Sequence, residues 1–211
     1  GYPAVQPDAG KRPDWAADSS PAAARFDGND DELAIRTLTF GDQRKAEAVT
    51  VMAWFRTEDR DASILDFDRS ESWCLGINFS GNKPGHISWN TTDAGNSTHD
   101  MFSEQPIDDG RWHLAIVTFD AQTGEKRIYH DGELDSKTNA HRGKPLGSGR
   151  QRFGFVGDGS EAGSFNSGTN NQQFAGAIAE AAIWNRVLSA EMVHNLAASR
   201  LAESQEAPNA P

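Results

Sequence analysis

Apolar and polar positions alternate along much of the chain. Val49, Val51, Ala53 and Phe55 interleave with Thr50, Met52, Trp54 and Arg56, a two-residue period in which both faces are partly apolar. That pattern predicts a strand covered on both sides, as in a packed sandwich. Further strand-forming runs are Ser63–Phe67, Ser72–Phe79, His86–Trp89, Trp112–Phe119, Lys126–His130, Phe153–Gly157 and Phe174–Asn185. Turn-forming segments separate them, among them Asp68-Arg69-Ser70-Glu71, Gly81–Gly85, Gln122–Glu125 and Asp131-Gly132. The Phe174–Asn185 run is alanine-rich and helical on propensity. Its Phe174, Ile178, Ile183 and Trp184 share no helical face, however, and Gly176 argues against a helix interior. One helix is expected, opened by Ser189 as N-cap, with Met192, Val193, Leu196 and Leu201 as its apolar stripe. Short strands without strand–helix–strand alternation predict an all-β protein: an antiparallel β-sandwich of jelly-roll type with one short C-terminal helix.

Both ends have a different character. Residues 1–23 and 203–211 are rich in Pro, Ala and acidic residues and read as linkers, leaving residues 24–202 as the expected domain. Two ends of one composition suggest a module within a longer protein. No apolar run approaches the roughly 18 residues of a membrane helix, so membrane insertion is not expected. Lys and Arg number 20 against 31 Asp and Glu, a net charge of -11 that repels phosphate backbones and argues against a nucleic-acid partner. The single cysteine, Cys74, excludes an intrachain disulfide and lies mid-strand as an inert buried thiol.

An ordered series of short motifs runs through the chain. It comprises Phe26-Asp27-Gly28-Asn29-Asp30-Asp31, Val49–Phe55, Asp109-Gly110-Arg111-Trp112-His113, Tyr129-His130-Asp131-Gly132, Phe174–Ile178 and Ile183–Ser189. This series resembles the laminin-G-like branch of the concanavalin A-like lectin/glucanase superfamily, with its pentraxin-like jelly rolls, over about residues 24–200. Ala179 departs from it, standing where the family's closing motif more often carries Asp. Each motif has a physical reading of its own. The Asp-Gly pairs supply positive-φ turns, Trp112 a large buried side chain, and Asp27, Asn29 and Asp31 a bend closed by their own side chains.

Catalysis has little support. Glycoside hydrolysis needs two carboxylates across the sugar bond. In the superfamily's glucanases they stand in a Glu-x-Asp-x-x-Glu run. Here Glu133-Leu134-Asp135 is followed by Ser136, Lys137 and Thr138, so the second Glu is missing. There is no Gly-x-Ser-x-Gly elbow, and the six histidines have no zinc spacing. Two acidic loops fit calcium better, because hard cations take clustered carboxylates. The resemblance places Asp68 and Glu71 beside one expected ligand position and Asp158 and Glu161 around a second.

For a ligand, the polar stretch 89–100 is read as a long loop carrying Trp89, Asn90, Asp93, His99 and Asp100, and the 157–171 loop adds Asn166 and Asn170. Trp89 serves equally as core. The resemblance implies a non-catalytic, carbohydrate-binding module, calcium-dependent or not, that recognises a glycan or cell-surface glycoconjugate outside the cell or at its surface, for adhesion or targeting. The alternative is a protein-binding or purely architectural module of a surface fibre.

Overall fold

The computed structural model describes residues 4–17, 21–35, 38, 45–79, 81–149, 154–159 and 172–205. The strands, in chain order, are β1 (Asp14–Ala16), β2 (Ala23–Asp27), β3 (Leu33–Ile35), β4 (Ala48–Thr57), β5 (Ala62–Asp66), β6 (Trp73–Ile77) and β7 (His86–Thr92). They continue with β8 (Thr98–Pro106), β9 (Trp112–Asp120), β10 (Glu125–His130), β11 (Glu133–Asn139), β12 (Gly154–Val156) and β13 (Ala175–Trp184). Helix α1 (Ala190–Gln205) closes the fold. One sheet has the order β1-β2-β13-β4-β9-β10-β11 and the other β3-β12-β5-β6-β7-β8. All pairings are antiparallel, which makes the expected sandwich of jelly-roll type.

The double-faced pattern of β4 has a direct cause. Val49, Val51, Ala53 and Phe55 fill the space between the sheets with Trp73, Trp89, Phe119 and Phe174. Met52 and Trp54 point the other way and join Leu114, Ile116 and Tyr129 beneath Leu188, Val193 and Ala197 at α1. The second face is apolar because the helix covers it. Ser189 caps that helix as expected, its Oγ accepting a hydrogen bond from the Met192 amide at 3.2 Å. Met192 itself is 40% exposed and does not belong to the buried stripe.

The alanine-rich run is a strand, β13, and its broken periodicity is a bulge. The register against β4 shifts between Ile178 and Glu180. One extra residue there lets Ile178 and Ile183 face the same core, although an odd number of positions separates them. Gly176 precedes the bulge at φ +150°, and a Cβ there would lie 2.3 Å from the Arg56 carbonyl oxygen. Only glycine permits this approach.

Three sequence expectations are corrected here. Residues 14–16, read as linker, form β1, and Val5 bridges to Ala34. The N-terminal stretch is therefore pinned to the sandwich by backbone pairing. At the other end α1 runs to Gln205, past the expected boundary at 202. The stretch 89–100 is not a long loop either. β7 runs through Thr92 and β8 begins at Thr98, so only a tight turn separates them. In that turn Asp93 Oδ1 accepts from the amides of Gly95 at 2.7 Å and Ser97 at 3.1 Å, and Asn96 takes φ +61°. An Asx-type turn closes in five residues what composition presents as an open loop.

Candidate functional site

The sandwich has two poles. At the first, the β5–β6, β7–β8 and β9–β10 turns come together: the Thr92 amide donates to the Ser72 carbonyl at 2.8 Å, and Leu146 bridges both Ala46 and Asp93. The expected ligand residues Trp89, Asn90, Asp93, His99 and Asp100 all lie on or beside this pole, together with Asp68 and Glu71. Their functional groups are turned to internal work. Trp89 is wholly buried, its Nε1 donating to the Thr118 carbonyl across the sandwich at 3.1 Å and its ring 5.8 Å from that of Trp73. Asn90 is buried and donates to the Phe79 carbonyl. Asp93 has its second oxygen on His141 at 3.2 Å, and Asp100 is paired with Arg69 through both oxygens. Burial pushes the Asp100 carboxyl up, but hydrogen bonds from Arg69 and Asn90 outweigh it and hold the group below its usual range.

Beneath them lies Lys126, a fully buried amino group that sequence reasoning missed. Its Nζ donates to the carbonyls of Trp89 at 2.9 Å and His99 at 2.8 Å and to Thr91 Oγ1 at 2.9 Å. Burial drives the Lys126 pKa well down, and burial followed by the charge of Lys126 lowers that of His99. The alternation of β10 placed residue 126 inward, which is the one signal that pointed to it. The group ties β10 of one sheet to β7 and β8 of the other. Trp89 is thus corrected from a ligand residue to part of the interior.

Asp68 and Asp158, expected at two calcium-ligand positions, lie apart along β5. Asp68 follows β5, holds φ +65° and accepts the Ser70 amide, while Glu71 binds the Ser148 hydroxyl. Asp158 lies toward the other end of β5, because β12 runs antiparallel to it and the Gly157 amide donates to the Ile64 carbonyl. Its register position is five residues from Asp68, about 17 Å. There Asp158 is 6% exposed, beside Glu32, and burial and the Glu32 charge raise its pKa to about 7. Asp68 and Asp158 thus stand apart; Glu161, Asn166 and Asn170 lie outside the described residues.

A concave feature of the described surface lies at the second pole. An open groove of about 720 Å³ runs over the ends of β2, β4 and β13. Its floor is the Ala175-Gly176-Ala177 run, nearly free of side chains. Ala177 pairs with Arg25 on one side and Arg56 on the other, so two guanidinium groups rise from one cross-strand row over a low floor. Arg56 is braced by the ring of Trp112, with Cζ 5.4 Å from the centroid. Glu58, Asp59 and Gly110 close the end. Asp59 is positioned by backbone: its Oδ2 accepts from the Ala175 amide at 2.6 Å, and its own amide donates to Thr57 Oγ1 at 2.8 Å. Burial raises its pKa, partly offset by that amide. The small-residue run in a strand was the available sign of this site; the pairing that brings both arginines beside it was not readable.

Comparison with known proteins fits this architecture. A rat protein, sushi, von Willebrand factor type A, EGF and pentraxin domain-containing protein 1, is 36% identical over 95 residues, 44% of this chain. The chain spans only 3% of that relative's length. The native heptameric SAP-like pentraxin from Limulus polyphemus superposes with a TM-score of 0.61 at 15% identity, covering 82% of this chain and 80% of that one. A candidate carbohydrate-binding protein from Bacteroides ovatus gives 0.62 at 16% identity, over 82% of this chain and 45% of its own. At such identities the structural likenesses speak for the fold. Residues 13–194 match a laminin-G-type family model, and on that match the chain belongs to the Concanavalin A-like lectin/glucanases superfamily.

Proposed function

We propose that the chain is a non-catalytic carbohydrate-binding module that acts outside the cell or at its surface, and that the groove of the second pole holds the sugar. The observation that carries this is the Arg25–Ala177–Arg56 row with Asp59 at its end. Paired planar guanidinium and carboxylate groups over a bare floor suit vicinal hydroxyls, which need donors and acceptors fixed at one spacing. A volume of about 720 Å³ is in the range of small-ligand sites. The superfamily and the Bacteroides ovatus neighbour support the substrate class.

The absence of a catalytic role rests on what the acids do. Asp135, the one acid in glucanase-like spacing with Glu133, accepts the amides of Glu104 at 2.7 Å and Gln105 at 3.1 Å and so clamps β11 to β8. Glu133 is highly exposed and faces His194. Neither is free to flank a glycosidic bond from two sides. Calcium is not needed by this reading.

A glycan array probed with the protein, in calcium and in EDTA, tests it. Binding that falls at least tenfold in both Arg25→Ala and Arg56→Ala, with unchanged melting temperature, is the expected result. A blank array in both buffers refutes it. It would then favour a protein partner, for which Trp15, 65% exposed on the edge strand β1, is the surface to test.

A further inference from the structure

We propose that His113, His130 and Asp131 form a binding site for a divalent transition-metal ion, zinc by preference, near the tip of the β10–β11 hairpin. Sequence spacing conceals it, because the histidines stand 17 positions apart; the β9–β10 pairing, with His130 opposite Ala115, brings them together. Three donor atoms converge. His113 Nδ1 is 2.9 Å from His130 Nε2 and 3.1 Å from Asp131 Oδ2, and His130 Nε2 is 3.4 Å from that same oxygen. Ligands held at about 2.0–2.1 Å in a tetrahedron stand about 3.3 Å from one another. The triangle is therefore the face of a tetrahedral zinc site to within a few tenths of an ångström, and it leaves a fourth position for water or a ligand.

The surroundings match what such a site requires. His113 Nε2 faces Asp109 Oδ1 at 3.1 Å, an acceptor that keeps a proton on Nε2 when an ion displaces the one shared between Nδ1 and Asp131. Asp131 Oδ1 accepts the Leu114 amide at 2.7 Å while Oδ2 points into the triangle. The Asp131 amide in turn donates to the Leu114 carbonyl at 2.9 Å, so the carboxylate is held by a turn locked onto β9. His113 is buried, whereas the side chains of His130 and Asp131 keep 14% and 33% of their exposure and give an ion a way in. Two imidazoles and one carboxylate select zinc, cobalt, nickel or copper over calcium and magnesium. Asp109 acts as a positioning residue through His113.

The experiment uses untagged, EDTA-stripped protein. Co2+ titration read by visible absorption is expected to give the intense bands of a four-coordinate ion at about one equivalent, displaced by Zn2+. His130→Ala removes one ligand and leaves the His113–Asp131 and Leu114–Asp131 bonds in place; it should abolish the bands. Asp109→Asn should weaken affinity about 10–100-fold with the melting temperature in EDTA unchanged. Should either variant fail to fold, zinc protection of His113 and His130 from diethylpyrocarbonate, mapped by mass spectrometry in the unsubstituted protein, gives the same answer. Absence of bands and of protection overturns the site. Bands that persist in a folded His130→Ala variant overturn it equally, by placing the ion elsewhere.

Discussion

Asp158 offers a sharp test of how burial governs charge in this sandwich. It is 6% exposed, its Oδ1 accepts the Gly159 amide at 2.7 Å, and Glu32 is its carboxylate neighbour. Its pKa rises from 3.8 to about 7, burial being the main cause and the Glu32 charge adding to it. At 1.36 kcal/mol per tenfold, the native state holds this proton about 4 kcal/mol more tightly than the unfolded chain does. The folded pKa is the higher of the two. The contribution is therefore fully present below about pH 4, fades as the pH rises from there to about 7, and is gone above. Asp158→Asn keeps the shape and the Gly159 contact but cannot ionise. The two proteins should be equally stable near pH 4, and the variant more stable by about 2–4 kcal/mol near pH 8. Urea unfolding of both proteins across this pH range in EDTA measures the difference directly. A variant no more stable than its parent at pH 8 would refute the reasoning, since the carboxylate would then be compensated by water or a cation. A variant that is less stable only when calcium is added would restore the metal-ligand reading of this residue.

Other consequences follow from packing. Trp89→Ala should cost about 3–5 kcal/mol in chemical denaturation, because it opens a cavity between the sheets and strips the Thr118 carbonyl of its indole donor; a binding loss with no stability loss would return Trp89 to the ligand site. Gly132 sits at φ +91° and a Cβ there would lie 2.5 Å from the Cβ of Ala197 on α1. Gly132→Ala should therefore cost about 2 kcal/mol or more by straining the turn and displacing the helix, read as a lowered melting temperature.

The fold was legible in the chain because its signals are local. Alternation in β4, the Asp-Gly turns and the Ser189 cap each depend on residues within a few positions of one another, and the backbone answers them directly. The buried setting of Cys74 was equally readable, since it rests on immediate neighbours. The candidate sites depend instead on which strands lie side by side. Residues 89–100 are polar, and composition reads such a stretch as loop; only the register shows that the polar groups of Asn90, Thr91 and Asp93 point into a buried network around Lys126. Asp68 and Asp158 look like partners until the antiparallel course of β12 sends them to opposite ends of β5. Arg25 meets Arg56 across Ala177, and His113 meets His130, through hydrogen-bonded ladders joining segments distant along the chain. Local periodicity specifies that a residue faces in or out; the choice of neighbour is made by sheet order, which is a property of the whole packed chain.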